Sequence, residues 1–353
     1  MTKRMLIMAG GTGGHIFPAL AVAEQLKQEG HEVCFLGTAS GLEAKLVPAH
    51  KFTLLTLNIV GVRGHKLSRK LLSPLLLLRA IWQAIRIIKK FKPDVVLGMG
   101  GFVSGPGGIA AFLLRKPLYL HEQNAVAGTT NRYLSKFAKH IFSAFPNTFP
   151  RASNEICVGN PVRRSLCDLP APSERYAKRT GPINILVLGG SRGAMALNLY
   201  VPQALSQLKK PIMVWHQAGE AHFDQAKQAY RECGIEAKID AFIDDMSTVY
   251  AWADLVICRS GAMTVSEIAA VGIAVVFIPF PHAIDDHQTK NAASLANEKA
   301  AIVVKQSADM VERLSVAIDG LLDRQVLIDM AEHAYSVRKI HAVEKIVTEL
   351  NID

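Results

Sequence analysis

Acidic residues are absent from fifty consecutive positions of this chain, residues 44–93. The same segment carries eleven Lys and Arg residues, and the formal net charge of the whole chain is +10, so this segment accounts for the entire positive excess. Apolar side chains are interleaved with these bases, chiefly in residues 71–88. A surface that is both cationic and apolar suits an anionic lipid layer better than a nucleic acid.

The chain also lacks features that several classes of protein require. Its five cysteines show no CxxC spacing, which argues against a zinc site or a disulfide framework and favours free thiols in a reducing cytoplasm. The apolar run at residues 5–9 is too short for a secretory signal, so we expect none. No helix-turn-helix, zinc-finger or RNA-recognition pattern accompanies the basic charge, so we expect no nucleic-acid partner.

Residues 71–88 are the longest apolar stretch and the only candidate for a membrane-spanning helix. Pro74, Arg79 and Arg86 interrupt it, and a bilayer centre penalises each Arg by roughly 2.5 kcal/mol or more. We therefore predict that it does not span a membrane. Two interpretations remain: a surface that docks on anionic lipid, or a crossover helix whose leucines face the core. The predicted docking patch consists of Leu75, Leu76, Arg79, Trp82 and Arg86.

Short apolar runs alternate with helical patterns along the chain, which is typical of parallel α/β architecture. Strands are predicted at residues 5–9, 32–36, 52–57, 95–98, 118–121, 140–143, 183–188, 212–216, 238–241, 255–258, 275–278 and 301–303, and the last helices at 309–322 and 336–350. Residues 169–182, rich in proline and charge, are predicted to link two domains. Two such domains place ligands in a cleft at the carboxyl ends of their strands.

Three glycine-rich loops, at residues 10–14, 98–108 and 189–193, each follow a predicted strand. Glycine lets the backbone approach a phosphate closely, and a helix start offers N–H groups and partial positive charge. A single such loop is usually a tight turn, but three of them favour anionic ligands. No Gly-Lys-Ser/Thr follows them, none has GxGxxG spacing, and no acidic residue ends the second strand, so a nicotinamide dehydrogenase is disfavoured.

Other polar residues also follow predicted strands. His15 is placed in the first turn of a helix, whose positive end favours a neutral ring able to accept a proton, although a capping role is the alternative. Thr264 and Glu267 have capping-box spacing, or else amides here face a diphosphate and Glu267 accepts from a ribose diol. Residues 121–124 are expected either to contact a sugar or to cap the next helix. A metal site at residues 285–287 is disfavoured because no third ligand has helical spacing.

Seven ordered segments of the chain resemble the MurG family of glycosyltransferases. They are GGTGGHIFPA at 10–19, GMGGFVSGPG at 98–107, HEQN at 121–124, GNPVR at 159–163, GGSRGA at 189–194, RSGAMTVSE at 259–267 and DHQTKNA at 286–292. Phe102 and Met263 stand where Tyr and Leu are more usual. The family transfers N-acetylglucosamine from UDP-N-acetylglucosamine (UDP-GlcNAc) to undecaprenyl-pyrophosphoryl-N-acetylmuramyl-pentapeptide (lipid I), forming lipid II for peptidoglycan.

The resemblance implies a GT-B fold of two Rossmann-like domains with a cleft between them. Residues 1–162 would face the acceptor and the membrane, with a helix at about 337–353 packing back on them, and residues 163–336 would bind the donor. The implied donor contacts are Thr12, Gly13, Gly14, Asn124, Arg163, Ser191, Ile243, Ala262, Met263, Thr264, Val265, Ser266, Glu267 and Gln288. The implied loops for the acceptor diphosphate contain Gly14, His15, Gly101, Ser104 and Gly105.

Individual roles follow from the same resemblance. Ile243 would read uracil through its backbone. Ser191 and the amides at 262–264 would hold the diphosphate. Glu267 would bind the ribose, and Gln288 the sugar hydroxyls.

The implied reaction is a single inverting displacement, in which the 4-hydroxyl of N-acetylmuramic acid attacks the anomeric carbon opposite the UDP. Amides aimed at the leaving diphosphate would stabilise its growing charge, so no cofactor and no divalent metal is expected there. His15 is the candidate general base, and its alternative role is to hold the acceptor pyrophosphate.

The resemblance further implies a peripheral enzyme on the cytoplasmic face of the cell (inner) membrane, acting in cell-wall biogenesis, cell shape and division. Its partners would be UDP-GlcNAc, lipid I and an anionic membrane surface, with cell-wall synthesis proteins as candidates. Three alternatives remain open at this point: a GT-B enzyme that glycosylates another lipid such as diacylglycerol, a UDP-GlcNAc epimerase, and a non-catalytic nucleotide-sugar or membrane-binding module.

Overall fold

Two parallel α/β units make up the chain in a computed structural model that describes residues 2–59, 67–190 and 193–351. Unit 1 comprises Met1–Pro161 and Ile340–Asp353, and unit 2 comprises Val162–Lys339. The predicted α/β class with two Rossmann-like domains is confirmed.

Unit 1 is built on a seven-stranded parallel sheet with the order β3-β2-β1-β4-β5-β6-β7. Its strands are β1 (Arg4–Met8), β2 (Glu32–Gly37), β3 (Thr53–Thr56), β4 (Val95–Gly98), β5 (Leu118–Glu122), β6 (His140–Ser143) and β7 (Glu155–Cys157). Its helices are α1 (Gly13–Gln28), α2 (Glu43–Ala49), α3 (Leu67–Phe91), α4 (Ser104–Leu113), α5 (Thr129–Leu134) and the C-terminal α15 (Ala342–Asn351).

Both faces of the unit 1 sheet are buried. Successive side chains of β1 point to opposite faces, so Met5 and Ile7 enter one core while Leu6 and Met8 enter the other. Helices α1 and α15 pack together on the first face, where Ile346 of α15 joins the core. The end of the chain is thus part of the unit that its beginning forms.

Helix α3 packs on the sheet through a narrow stripe of side chains. Ala80, Ala84 and Ile88, spaced four residues apart, are buried, which is the spacing of one helix face. The four leucines at residues 75–78 are exposed, with Leu75 65% and Leu78 63% accessible. The helix is therefore a crossover between β3 and β4 that nonetheless keeps these leucines out of the core. Among the described residues, no helix is long and apolar enough to cross a membrane.

Unit 2 is built on a six-stranded parallel sheet with the order β10-β9-β8-β11-β12-β13. Its strands are β8 (Ile183–Leu188), β9 (Ile212–Gln217), β10 (Lys238–Asp240), β11 (Leu255–Cys258), β12 (Ala274–Phe277) and β13 (Ile302–Val303). Its helices are α6 (Arg164–Cys167), α7 (Pro172–Tyr176), α8 (Met195–Leu205), α9 (Phe223–Glu232), α10 (Met246–Trp252), α11 (Ala262–Val271), α12 (His287–Ala296), α13 (Met310–Asp319) and α14 (Arg324–Ser336).

Both sheets reverse their strand order at one point. In unit 1 the chain builds outward from β1 through β2 and β3 and then returns to β4 on the other side of β1. In unit 2 the same reversal lies between β8 and β11. Open α/β sheets bind ligands where the order reverses, because the loops leaving the two adjacent strands diverge there. The glycine loops at residues 10–14 and 98–101, and those at 189–190 and 259–261, follow these strands.

Two predictions about connections were wrong. The final helix, predicted at 336–350, begins six residues later, since α14 ends at Ser336 and α15 spans Ala342–Asn351. Residues 169–182 are not a free linker, because they contain α7 and pack on unit 2. Tyr176 is buried there and donates its hydroxyl hydrogen to the Asp254 carbonyl at 2.8 Å, and the Arg179 guanidinium bonds carbonyls of the same region. The two arginines of this segment, Arg175 and Arg179, therefore hold it against unit 2.

Asp254 is the buried anchor of this packing. Its carboxylate accepts from the backbone N–H of Asn184 at 2.9 Å, from Arg324 Nη1 at 3.3 Å, and from the Arg179 guanidinium. One carboxylate thus joins the start of β8 to α14 and to the segment after α7.

Replacing this carboxylate is expected to destabilise unit 2. Asp254→Ala should lower its free energy of unfolding by about 3–5 kcal/mol, because two partly buried guanidinium groups lose their counter-charge. Urea unfolding measures the effect, and Asp319→Ala, at an exposed aspartate of the same unit, is the matched control, expected within about 0.5 kcal/mol of wild type. Equal destabilisation by the two changes would contradict this role.

Candidate active site

Two glycine loops of unit 1 lie directly against each other. Thr12 is the N-cap residue of α1, which begins with Gly13 and Gly14. Gly101, at φ +81°, packs on the first loop so closely that an added Cβ would lie 2.3 Å from the Gly10 carbonyl oxygen. Only glycine fits there, so the loop after β4 is held against the start of α1. This contact is what brings the two predicted phosphate-binding loops together.

A chain of hydrogen bonds starts at His15 in the first turn of α1. Its Nδ1 lies 2.9 Å from Gln123 Oε1. The Gln123 amide nitrogen donates to the Met99 carbonyl at 2.9 Å and lies 3.0 Å from His121 Nδ1. His121 Nε2 in turn lies 2.9 Å from the Gly159 carbonyl oxygen. His121 is fully buried, and this desolvation lowers its pKa to about 4, so its ring is neutral at pH 7.

Gly100 leaves space for the His15 ring. Its φ is +96°, and an added Cβ would lie 2.8 Å from His15 Nδ1. A side chain at this position would displace the imidazole.

Ser104 and Gly105, both predicted near the acceptor diphosphate, begin α4. Ser104 is fully buried, and its hydroxyl donates to the Gly100 carbonyl at 2.8 Å. Its side chain therefore holds the loop in shape, and a ligand-binding role would fall to backbone groups of this turn.

Glu122 and Asn124 form the turn that follows β5. The buried Glu122 carboxylate accepts from the Asn124 N–H at 3.1 Å, from the Gly128 N–H at 3.0 Å and from Asn131 Nδ2 at 2.9 Å. Gly128 is the N-cap residue of α5, so Glu122 fastens the loop to that helix. Of the two interpretations of residues 121–124, helix capping describes Glu122.

The start of α11 in unit 2 is not the capping box that its spacing allowed. The N-cap residue is Gly261, so Thr264 is the third residue of the helix and does not cap it. Gly261 has no side chain to cap the amides of the first turn. A helix start with backbone N–H groups and partial positive charge is a site for anions. This first turn contains the predicted positions Ala262 and Met263, and Val265 and Ser266 follow in α11.

Glu267 lies one turn further along α11 between two donors. The Tyr250 hydroxyl donates to its Oε2 at 3.2 Å, and Arg163 Nη2 lies 3.4 Å from its Oε1. Burial raises the pKa of Glu267, and the Arg163 charge and the Tyr250 hydrogen bond oppose that rise. Sequence analysis paired neither residue with Glu267, and Tyr250 was missed altogether because nothing near it in the sequence marks it.

Ile243 belongs to a second hydrogen-bonded connection in unit 2. Its N–H donates to Gln217 Oε1 at 3.2 Å, and Gln217 Nε2 donates to the Gly190 carbonyl at 3.2 Å. The backbone group of Ile243 that remains to meet a base is then its carbonyl. Gln217 was also missed, since it ends an otherwise ordinary strand. Ser191 lies outside the described residues.

Gln288 is the second residue of α12, and its side-chain oxygen accepts from the Phe280 N–H at 2.8 Å. Its amide NH2 group is the part that can face a sugar. Just before it, Asp285 and Asp286 both have positive φ, and Asp286 accepts from the Thr289 hydroxyl at 2.7 Å. These acids shape the start of α12. Across the described ranges, no three His, Cys, Asp or Glu side chains converge to hold a metal ion.

The predicted site residues thus fall into two groups. Thr12, Gly13, Gly14, His15, Gly101, Ser104, Gly105 and Asn124 lie on adjoining loops of unit 1. The α11 positions, Arg163, Ile243 and Gln288 lie in unit 2, where the structure brings Arg163 and Glu267 together directly.

Comparison with known proteins agrees with this architecture. The Glycosyltransferase family 28 N-terminal domain matches residues 5–143, and the Glycosyltransferase family 28 C-terminal domain matches residues 184–349. The fold and these matches define the class, a glycosyltransferase with two α/β domains.

Similar proteins of known name identify the family within this class of glycosyltransferases. A UDP-N-acetylglucosamine--N-acetylmuramyl-(pentapeptide) pyrophosphoryl-undecaprenol N-acetylglucosamine transferase of Aliivibrio fischeri (strain MJ11) is 52% identical over 341 residues, covering 96% of this chain and 95% of the relative. Its namesake in Coxiella burnetii (strain RSA 331) is 49% identical over 350 residues, covering 98% of each. The crystal structure of Acinetobacter baumannii MurG superposes with a TM-score of 0.87 at 41% identity, covering 99% of this chain and 100% of that one. The chain belongs to the MurG family, as its seven sequence segments predicted.

Proposed function

We propose that this protein transfers N-acetylglucosamine from UDP-GlcNAc to the 4-hydroxyl of N-acetylmuramic acid in lipid I, with inversion at the anomeric carbon, forming lipid II. The observation that carries this proposal is the α11 arrangement of unit 2, where an anion-binding helix start lies one turn before a carboxylate. That pair suits a nucleoside diphosphate, which has a diphosphate and a ribose diol. The names of the relatives supply the sugar and the acceptor.

Unit 2 is the donor-binding unit in this proposal. The amides of Ala262, Met263 and Thr264 hold the diphosphate, and Glu267 accepts hydrogen bonds from the ribose hydroxyls. Negative charge grows on the diphosphate as the glycosidic bond breaks, so the same amides stabilise the transition state more than the ground state. The Ile243 carbonyl accepts from N3–H of uracil, a group that cytosine lacks, and the Gln288 amide donates to the sugar.

Unit 1 supplies the base and the acceptor-binding loops. His15 takes the proton from the attacking hydroxyl, and amides of the loops around Gly14 and Gly101 hold the acceptor pyrophosphate. Ser104 contributes to this site by fixing its loop, since its hydroxyl is bonded to Gly100. No covalent sugar–enzyme intermediate is needed.

The membrane-facing surface of unit 1 is the exposed part of α3. Trp82 is 54% accessible, and the Arg86 guanidinium stacks 4.1 Å from the centre of its indole. Helix α4 packs beside α3, and it presents Phe112, which lies 4.5 Å from Phe137 between ring centres. Both rings are exposed, so the region beside α3 also presents apolar surface. Aromatic and basic side chains together favour the headgroup region of an anionic layer.

In this proposal the enzyme is a peripheral protein on the cytoplasmic face of the cell (inner) membrane, where the lipid-linked acceptor is available. Proteins of the cell-wall synthesis machinery are candidate partners there.

Charge reversal on α3 tests the docking surface. Arg79→Glu with Arg86→Glu should weaken binding to vesicles that contain anionic lipid by about 30-fold or more, because each basic residue near such a surface contributes about 1 kcal/mol and the new carboxylates are repelled. The matched control is Lys209→Glu with Arg231→Glu in unit 2, which changes the net charge equally. Vesicle sedimentation measures both. If the two doubles lose binding equally, only net charge matters and the docking surface is wrong.

Transfer of labelled N-acetylglucosamine from UDP-GlcNAc tests the proposed function. We expect label in a lipid I analogue, in β linkage, and none in diacylglycerol. Label in diacylglycerol would identify a different lipid glycosyltransferase. Conversion of UDP-GlcNAc to an epimer without any acceptor would identify an epimerase, and UDP-GlcNAc binding without turnover would identify a binding module.

A further inference from the structure

The hydrogen-bond chain behind His15 determines which of its ring nitrogens carries the proton. We propose that Gln123 and His121 are positioning residues that hold His15 as the tautomer with hydrogen on Nδ1, leaving the lone pair on Nε2 to take the acceptor proton. This inference rests on the proposed role of His15 as the base. It concerns residues that the reaction itself does not touch.

The buried end of this hydrogen-bond chain is the contact between His121 and Gly159. A carbonyl only accepts, so the Gly159 oxygen, 2.9 Å from His121 Nε2, requires hydrogen on that nitrogen. Since burial keeps the His121 ring neutral, its Nδ1 carries no hydrogen and must accept. The donor facing it is Gln123 Nε2, at 3.0 Å.

Two acceptors independently determine the orientation of the Gln123 amide. Its NH2 group meets two acceptors, the Met99 carbonyl at 2.9 Å and His121 Nδ1 at 3.0 Å. The flipped amide would place its oxygen against both, with no hydrogen between them, so it is excluded. Gln123 Oε1 therefore faces His15.

His15 accepts no hydrogen bond through its Nδ1 in this arrangement. Its Nδ1 lies 2.9 Å from Gln123 Oε1, an atom that only accepts, so Nδ1 must carry hydrogen. In the neutral ring the lone pair then lies on Nε2, and after proton transfer Nε2 carries the new hydrogen while Nδ1 still donates to Gln123. The absence of a side chain at Gly100 leaves room for the ring in this position. The charged ring therefore forms without rearrangement of the residues behind it.

The first test observes the tautomer directly in the wild-type protein. The full-length protein labelled with ¹⁵N-histidine is studied by long-range ¹H–¹⁵N correlation, and the His15 resonances are assigned from their loss in His15→Ala. In the neutral ring we expect a protonated Nδ1 and an unprotonated Nε2. Hydrogen on Nε2 would overturn the proposal.

The second test separates positioning from general structure. In Gln123→Met the acceptor is lost, so we expect the Nε2–H tautomer to appear and kcat to fall about 10- to 100-fold, with KM for UDP-GlcNAc changed less than about twofold. In Gln123→Glu one carboxylate oxygen still faces Nδ1, so the Nδ1–H tautomer is kept. The second oxygen replaces the NH2 group beside the Met99 carbonyl and His121 Nδ1, so kcat is expected to recover only in part. Gln203→Met, at an exposed glutamine, controls for the loss of an amide. Loss of kcat in Gln123→Met with an unchanged tautomer would overturn the proposal.

Different results would reject the proposed transferase function and the proposed tautomer of His15. Wild-type protein that shows the Nδ1–H tautomer but transfers no sugar to a lipid I analogue would reject the proposed function while supporting the tautomer assignment. Wild-type protein that transfers sugar but carries hydrogen on Nε2 would reject the positioning role alone.

Discussion

His15→Ala is expected to reduce turnover by about 10²- to 10⁴-fold, the usual contribution of a general base, while the affinity for UDP changes less than about twofold. His15 belongs to unit 1, whereas the proposed nucleotide contacts around Glu267 belong to unit 2. Removing the imidazole should therefore leave nucleotide binding nearly unchanged. Steady-state kinetics and UDP titration calorimetry on the same protein measure the two effects.

His50→Ala is the matched control for this change. His50 is also in unit 1 and pairs with Glu24 at 2.8 Å on the surface, so its loss should leave turnover near wild type. Should the UDP affinity of His15→Ala fall in proportion to turnover, His15 would be a donor ligand. A rise in acceptor KM with kcat restored at saturating acceptor would assign it instead to the acceptor pyrophosphate.

Glu267→Ala is expected to weaken UDP binding by about 10²-fold, because hydrogen bonds to a charged carboxylate are worth about 1.5–3 kcal/mol each. The preference of the protein for a ribose over a 2′-deoxyribose should fall as well. Wild type is expected to bind 2′-deoxy-UDP much more weakly than UDP, whereas the variant should bind the two nearly equally. Competition binding against a labelled nucleotide measures all four affinities.

Two control variants separate the loss of a ribose contact from damage to the structure. Removing Glu267 leaves the buried Tyr250 hydroxyl without its acceptor, so Glu267→Gln, which keeps an oxygen there, shows how much of the loss is structural. Glu298→Ala removes an exposed carboxylate of the same unit and should leave binding unchanged. Equal losses of UDP and 2′-deoxy-UDP in Glu267→Ala would place the carboxylate away from the ribose.

Much of the fold was predictable because it follows from local pattern. The strands β4, β6, β8 and β11 occur at the predicted residues, since each is a short, largely apolar run bounded by loops and buried on both faces. The glycine loops were likewise visible in the sequence. Gly101 is needed because another residue would collide with Gly10, and the collision occurs between segments about 90 residues apart.

The errors have a common physical cause. The spacing of Thr264 and Glu267 allowed a capping box, but the helix begins earlier, at Ala262 with Gly261 as its N-cap residue, and Glu267 is held by Tyr250 and Arg163. Residues 169–182 had the composition of a linker, yet their arginines bond backbone carbonyls more than 70 residues away. Tertiary hydrogen bonds decide these cases, and a local pattern does not contain them.

The supporting residues of the site were unpredictable for the same reason. His15 and Gln123 are 108 positions apart in sequence, and their contact exists only because β1 and β5 belong to one sheet. Residues 121–124 were recognised as polar, but which side chain faces His15 and which fastens α5 depended on the fold.

The central claim is that α11 of unit 2 holds the nucleotide. A crystal structure of the complex with UDP tests it most directly. The account predicts the diphosphate within hydrogen-bond distance of the amides of Ala262, Met263 and Thr264, with the ribose hydroxyls on Glu267. Nucleotide bound at the loop of residues 10–14 in unit 1, with Glu267 unoccupied, would contradict it.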